Sequence, residues 1–323
     1  MKIPSSRVCV VGSVNIDTTY RVPQIPAPGE TLLAINRTVS PGGKGANQAV
    51  AAASMGSQVA LLGCIGHDAE ADLALASLTR HRVDVSQLTT VADAPTGTAV
   101  VLVDDRGENV IVVDPGANQR IDPVLVAAHL LSTAYDVVLS QLEINLDAVI
   151  SAGKNSGPAT FILNPAPMPS DAAALRDLLG YTDVLVPNRP ELARLAGQPL
   201  PTDRAGLDRC VARLEFDGVV LVTLGSAGVA VYDRGPSHRP TYIEAVRVES
   251  VDTTGAGDTF CGVLGHFIAQ HGDVTQAARQ ANKMAALSTT VRGAQVPPDL
   301  FRTAGRRLAS AALGRLTSPP RQT

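Results

Sequence analysis

The stretch DVVLSQLEINLDAVISAGKNSGPATFIL, Asp136 to Leu163, decides how the chain is built. Asp136–Gln141 is an apolar, β-branched run that predicts a strand, a helix is expected from Asn145, and Thr160–Leu163 predicts a second strand. The same alternation continues downstream: a helix from Asp171, a strand at Asp183–Val186, a helix from Pro190, a helix around Asp203–Glu215 and a strand at Val219–Leu224. Strands and helices that alternate in this way predict a mostly parallel central sheet covered by helices on both faces.

Working outward, Arg7–Val11 and Val59–Ile65 read as further buried strands and Ala69–Arg80 as an amphipathic helix. Asp122-Pro123 is an N-cap followed by proline at the first helical position. From Thr18 to Val39 the pattern is short, alternating and rich in turns, and Thr98–Val103 with Asn109–Val113 flank a hairpin turn. These segments predict a small sheet projecting from the main body. After Val229–Tyr232, a strand is expected over Tyr242–Val248, then helices at Thr259–His271, Val274–Val291 and Asp299–Leu313. The expected division is an α/β core over 1–14, 40–96 and 115–316, a β-sheet lid over 15–39 and 97–114, and a disordered tail over 317–323.

At 323 residues the chain can bury a large core. Trp is absent and aromatics are few, so that core rests on Val, Leu, Ile and Ala. A net charge of −3, with no Lys/Arg tract, argues against nucleic acid or an anionic membrane surface as partner. Cys9, Cys64, Cys210 and Cys261 are scattered without a C-x-x-C pair, which fits buried reduced thiols better than a disulfide frame or zinc site. The six His show no metal-ligand spacing. Met1 leads within a few residues into a core-like strand with no signal-peptide pattern, and no apolar run is long enough to span a bilayer. The expectation is a soluble cytoplasmic protein.

In parallel α/β sheets, ligands bind beyond the strand C-termini. The polar residues there are Asn15 and Asp17, Gln141 and Glu143, Asn164, Asn188 and Glu191, then Thr223 and Gly225. Asn15 and Asp17, two apart in an extended segment, present both side chains to one face; that suits a vicinal diol, and equally the polar face of an edge strand. In VDTTGAGDTF, Val251 to Phe260, two glycines and an alanine at a helix start leave backbone N–H groups unobstructed, which makes an anion site. Asp258 beside it suits a base that deprotonates a hydroxyl while phosphate charge is neutralised next to it; it also suits a simple N-cap Asp. In PGGKGANQAVA, Pro41 to Ala51, glycines lead into an Ala-rich helix with Lys44 and Asn47 in its first turn. Neither stretch has the spacing of a Walker A loop or of G-x-G-x-x-G.

Taken together, GSVNID (Gly12–Asp17), PAPGE (Pro26–Glu30), PGGKGANQAVAA (Pro41–Ala52), QLE (Gln141–Glu143), LNPAP (Leu163–Pro167), PNRPE (Pro187–Glu191), TLGSAG (Thr223–Gly228), DTTGAGDTF (Asp252–Phe260) and RGAQ (Arg292–Gln295) resemble the ribokinase/PfkB family of sugar kinases. The resemblance runs from about Arg7 to Gln295, and PAPGE with the extended GGKGANQAVAA points to the family's ribokinase branch. It implies a ribokinase-like α/β fold with a small β-sheet lid that also forms a homodimer contact. It implies ATP-dependent phosphorylation of D-ribose at O5. Other acceptors within the family (deoxyribose, another sugar or a nucleoside) and a non-catalytic sugar-binding regulator are the alternatives.

Carried onto this chain, the resemblance makes Asp258 the base and gives Gly255, Ala256 and Gly257, after Thr254, the anion hole. It gives Asn15, Asp17, Gly43, Lys44, Asn47 and Glu143 to the sugar. Asn188, Thr223, Gly225, Gly228, Gly257 and Asn282 would hold ATP. Glu191 would organise Mg²⁺ through water, and Asp252, Thr254, Ser288, Val291 and Gly293 would surround a monovalent cation, K⁺. Three positions depart from the pattern. Arg189-Pro190 fills the centre of N-x-x-E, where an extra acid often follows the Asn. Ala227 stands where a basic residue is common, and Pro297 replaces a Ser that closes the cation loop.

Overall fold

A computed structural model describes residues 6–233 and 239–301. In chain order its strands and helices are β1 (Arg7–Val11), β2 (Asn15–Arg21), β3 (Asn36–Gly42), α1 (Lys44–Ser54), β4 (Gln58–Ile65), α2 (Ala69–Arg80), β5 (Leu88–Thr90), β6 (Gly97–Val103), β7 (Asn109–Asp114), α3 (Pro123–Ser132), β8 (Val137–Ser140) and α4 (Leu146–Lys154). They continue with β9 (Thr160–Leu163), α5 (Arg176–Leu179), β10 (Val184–Leu185), α6 (Arg189–Ala196), α7 (Arg204–Arg213), β11 (Val219–Thr223), β12 (Val229–Tyr232), β13 (Thr241–Ile243), α8 (Ala256–His271) and α9 (Val274–Ser288). Among the described residues, nine strands form one sheet in the order β13-β12-β11-β10-β9-β8-β1-β4-β5. It is parallel from β11 through to β5, and β12 and β13 add antiparallel to its edge.

The two faces of this sheet follow from alternation along single strands. In β1, Val8 and Val10 join one buried cluster with α1, α2, α8 and α9, while Cys9 and Val11 join the opposite cluster with α3, α4 and Leu178 of α5. A strand buried on both sides has no polar face to show, which is why these strands read as unbroken apolar runs. Cys9, Cys64, Cys210 and Cys261 are free and buried. A second sheet of four strands, β3-β2-β6-β7, stands apart from the first. There β2 and β6 are parallel, and β3 and β7 flank them antiparallel. The strand β3 runs to Gly42, three residues past the lid boundary expected at 39.

Several elements differ from the sequence reading; α8, for one, begins at Ala256 rather than Thr259. The strand expected over Tyr242–Val248 is confined to Thr241–Ile243. Its partner β12 begins at Val229, which pairs with Ile243, so residues 244 onward have no ladder to join. The helix expected over Val274–Val291 ends at Ser288. The hydroxyls of Ser288, Thr289 and Thr290 each donate to the carbonyl three residues back, closing the last turn from the side chains. The segment from Asp171 divides into a 3₁₀ turn, Ala172–Leu175, followed by α5. The helix expected over Asp299–Leu313 and the tail over 317–323 lie almost wholly outside the described residues.

Helix starts separate structure from site. Asp68, Asp122, Asn145, Asn188, Asp203 and Asp273 each cap a helix by accepting a first-turn N–H. The helices α1 and α8 have no such side-chain cap; each starts from a glycine with positive φ, Gly43 at 85° and Gly255 at 71°. Positive φ lets the chain enter the helix from above without a side chain in front of the free amides. The α1 amides are nonetheless taken from a distance: Lys44 N–H donates to Glu143 Oε2 at 2.9 Å and Gly45 N–H to Ser13 Oγ at 3.2 Å. At the α8 start no side chain caps the turn, and Ala256 N–H donates to Thr253 O at 3.2 Å.

Candidate active site

Asp258, in the first turn of α8, is 7 % exposed and sits where α1 and α8 meet. Asn47 Nδ2 donates to its Oδ2 at 3.0 Å and Gln48 Nε2 to its Oδ1 at 3.2 Å. Each donor is oriented from behind. Ser77 Oγ–H donates to Gln295 Oε1 at 2.6 Å, and Gln295 Nε2 donates to Asn47 Oδ1 at 3.2 Å. Gln141 Nε2 donates to Gln48 Oε1 at 2.8 Å. Burial pushes the Asp258 carboxyl above the ordinary carboxylate range, against the Lys44 ammonium and the Asn47 and Gln48 amides, which favour the ionised form. Lys44 is held charged above its ordinary range chiefly by Asp258, and its Nζ lies 4.0 Å from Glu143 Oε1. A carboxylate whose proton affinity burial raises, against a fixed cation and two amides that favour the ionised form, has the character of a base.

Asn15 and Asp17 sit on β2 with both side chains on the face toward this centre. Asp17 lies over Gly42, where a Cβ would fall 2.6 Å from its Oδ1. Burial first, then the charges of Glu143 and Asp258, push Asp17 up to about 6. The Asn15 amide is oriented by Asn118, whose Nδ2 donates to Asn15 Oδ1 at 2.7 Å. Ser13 Oγ donates to Glu143 Oε2 at 2.6 Å, so Glu143 is anchored at the α1 start beside Gly43 and Lys44. The structure therefore brings Asn15, Asp17, Gly43, Lys44, Asn47, Glu143 and Asp258 around one cleft.

Part of the expected anion hole is engaged within the protein. Thr254 N–H donates to Asp252 Oδ1 at 2.9 Å and Ala256 N–H to Thr253 O at 3.2 Å, so these two amides are engaged within the loop. A Cβ on Gly257 would meet nothing within 4 Å, whereas one on Gly255 would lie 2.7 Å from Ala294 Cα.

The remaining expected positions have visible structural roles as well. Asn188 and Glu191 form a complete capping box on α6, with Glu191 Oε2 accepting Asn188 N–H and Oε1 accepting Asn188 Nδ2, both at 2.8 Å. Burial raises the Glu191 carboxyl, and it feels both Lys44 and Asp258, which places it at the same cleft. Thr223 N–H donates to Pro187 O at 2.9 Å, joining the ends of β10 and β11. Gly225 has open space above it, while Gly228 packs against the backbone of Ile243–Ala245. Asn282 of α9 is buried and donates to Glu244 O at 2.8 Å. Asp252 staples two loops: Oδ1 takes Thr254 N–H and Oδ2 takes Gly293 N–H at 2.9 Å. Those amides hold its carboxyl below the usual range although burial opposes them. Ser288 Oγ donates to Ala285 O, and the Ser288 carbonyl accepts Val291 N–H.

Gln48, Gln295, Ser77 and Asn118 belong to the site but carry no strong sequence signal. Gln48 immediately follows Asn47 in the glycine-led stretch, and that adjacency is the only hint. Gln295 closes the RGAQ stretch, whereas Ser77 and Asn118 are set by contacts between residues more than 100 positions apart, which no local pattern announces.

A buried carboxylate at the open start of a helix, beyond the C-termini of a parallel sheet, is the layout of a phosphotransferase acting on a hydroxyl. The chain belongs to the pfkB family of carbohydrate kinases, whose match covers residues 5–300. It is 36 % identical to a ribokinase of Haemophilus influenzae over 293 residues, 88 % of this chain and 93 % of that one. It is also 36 % identical to a deoxyribokinase of Salmonella typhi over 300 residues, 89 % and 94 % of the two chains. Among solved structures, the Arabidopsis thaliana ribokinase complexed with ribose and ATP aligns with a TM-score of 0.80 and 30 % identity over 92 % of this chain and 98 % of that one. The chain is a sugar kinase with a mostly parallel sheet between helix layers and a small separate sheet. No described helix is long and apolar enough to cross a membrane.

Proposed function

We propose that the chain transfers the γ-phosphoryl group of ATP to O5 of D-ribose, with Asp258 as the base. The observation that carries this reading is the Asp258 carboxylate, buried at the uncapped start of α8 and gripped by Asn47 and Gln48. Asp258 takes the proton of the primary hydroxyl as the bond to phosphorus forms, and the α8 amides neutralise charge on the transferred group. Asp17 and Glu143 accept from sugar hydroxyls, and Asn15, with its carbonyl oxygen committed to Asn118, donates to the 2-hydroxyl. That polarity favours ribose over deoxyribose, the acceptor of an equally similar relative. ATP lies along Asn188, Thr223, Gly225 and Asn282.

Glu191 and Asn188 would hold Mg²⁺ through water, the carboxylate having lone pairs beyond its two capping bonds; the ion would neutralise phosphate charge. Among the described residues no cluster of three or more His, Cys, Asp or Glu could hold a metal. K⁺ would be held by the carbonyls of Thr254, Ser288, Val291 and Gly293, which the Asp252 staple pre-arranges. With ATP as co-substrate, the reaction belongs to the cytoplasm. A panel of ribose, 2-deoxyribose, other sugars and nucleosides with ATP, with and without Mg²⁺ and K⁺, tests this: ribose is the preferred acceptor, and turnover of a nucleoside alone overturns the reading.

The four-stranded sheet supports a lid that also joins two copies. In its register Val39, Val100, Val110 and Val112 share the face opposite Asp17, and each is more than 40 % exposed. An apolar face turned away from the site is where a second copy fits. Val112→Glu is expected to shift the protein from dimer to monomer in sedimentation velocity, with an unchanged profile counting against the lid contact.

The Asp17 carboxyl, raised to about 6, gives sugar binding a pH dependence. Ionised Asp17 accepts from the sugar; as pH falls through about 6 it is protonated and that acceptor is lost. Calorimetric ribose affinity is expected to weaken below pH 6 in the native protein and to be weak and flat from pH 5 to 8 in Asp17→Asn. A native affinity that is flat over the same range contradicts it.

A further inference from the structure

We propose that Gln48 is a positioning residue for phosphoryl transfer, aiming Asp258 Oδ1 at the sugar hydroxyl through an amide whose own orientation is fixed by Gln141 and Asn164. The inference rests on Asp258 being the base and adds a residue that does not touch the substrate. Gln48 is fully buried. Both hydrogens of its amide are used, one to Asp258 Oδ1 at 3.2 Å and one to Asn164 Oδ1 at 3.3 Å. Its carbonyl oxygen accepts from Gln141 Nε2 at 2.8 Å. Asn164 cannot present its other end, because its Nδ2 is engaged by Val186 O at 3.0 Å. Two strand ends of the parallel sheet therefore dictate which atom Gln48 turns toward α8, β9 through Asn164 and the end of β10 through Val186; Gln141, after β8, adds a donor to the Gln48 carbonyl while its own Oε1 stays buried without a partner.

A side chain wanted only for packing here would be apolar, since a buried amide left even partly unsatisfied costs more than it returns. The network instead directs one Gln48 donor at a carboxylate oxygen, Asp258 Oδ1, and the other at Asn164 Oδ1. Asn47 holds the other oxygen, so the carboxylate plane is set by two neighbouring residues of α1 that straddle the α8 start. The charged groups acting on Asp258 are Lys44 of α1, Glu143 after β8, Asp17 of β2 and Glu191 of α6, with the Cys261 thiol on its own helix. Of these Lys44 alone favours the ionised form, which leaves the Gln48 and Asn47 amides to supply the rest.

The test is Gln48→Met, which keeps the volume and removes the donor, with Gln141→Met as a second variant acting one step further out. Expected for Gln48→Met are a fall in kcat of about 30-fold, a KM for ribose within 3-fold of the native value, and an acid limb of kcat, read at saturating ribose so that Asp17 does not contribute, moved up by about one pH unit. Gln141→Met moves the limb in the same direction by less, and covers the case in which Gln48→Met fails to fold. A folded variant with native kcat and an unmoved acid limb overturns the assignment of Gln48. Loss of ribose affinity without a limb shift overturns it as well, by showing a role in the pocket wall alone. Asp258→Asn, run alongside, separates the two claims: if that variant still turns over, it is the base assignment that falls.

Discussion

Asp258→Asn is expected to lower kcat for ribose phosphorylation by about 1,000-fold while ribose still binds within a few-fold of native affinity. The substitution is nearly isosteric and keeps a carbonyl oxygen for one of the two amides that converge there, so the pocket survives. What it removes is the carboxylate oxygen proposed to take the proton. A primary alcohol does not ionise at neutral pH, and the transferring phosphoryl group makes it acidic only as the new bond forms. The acceptor must therefore be present and correctly aimed at that moment, which the paired amides of Asn47 and Gln48 secure. Single-turnover kinetics with calorimetric ribose binding checks both halves. Residual turnover above a tenth of native would remove Asp258 from its role, and lost ribose binding would recast it as a sugar ligand only.

The second large effect separates two glycines that the sequence presents as equivalent. Gly257→Ala is expected to leave Tm within about 2 °C of native yet cut kcat on the order of 100-fold. Its Cβ meets nothing within 4 Å in the free protein, and alanine suits a first helical turn. The methyl group instead occupies space that the transferred phosphoryl group needs. Gly255→Ala is expected to lower Tm by roughly 5 °C, because φ is 71° and the new Cβ would lie 2.7 Å from Ala294 Cα. Thermal melts with steady-state rates on both variants test the pair. Equal loss of stability in the two would mean that Gly257, too, serves the fold.

This split shows what a sequence can and cannot disclose. The parallel sheet was legible because each central strand is buried on both faces and so is written as an unbroken apolar run, β1 and β9 with the bounds the sequence predicts. The strand after Tyr242 was over-extended because its apolar alternation continues past the point where β12 can pair with it. Candidate site residues in glycine-led helix starts, such as Asp258 and Asn47, announced themselves by their neighbours. The groups behind them did so less: Gln295 closes the RGAQ stretch, but its bonds to Asn47 and to the Ser77 hydroxyl exist only when α2 and the segment after α9 are folded against α1. N-x-x-E carries an ambiguity of its own: Asn188 and Glu191 complete a capping box whether or not they also serve a metal.

The most direct measurement is the identity of the product. Purified protein incubated with ATP, Mg²⁺, K⁺ and ¹³C-labelled D-ribose should yield one phosphorylated sugar whose C5 resonance is split by phosphorus, with ADP formed in equal amount. Phosphorus coupling at C1 instead, or phosphorylation of a nucleoside or 2-deoxyribose in preference to ribose, would contradict the account.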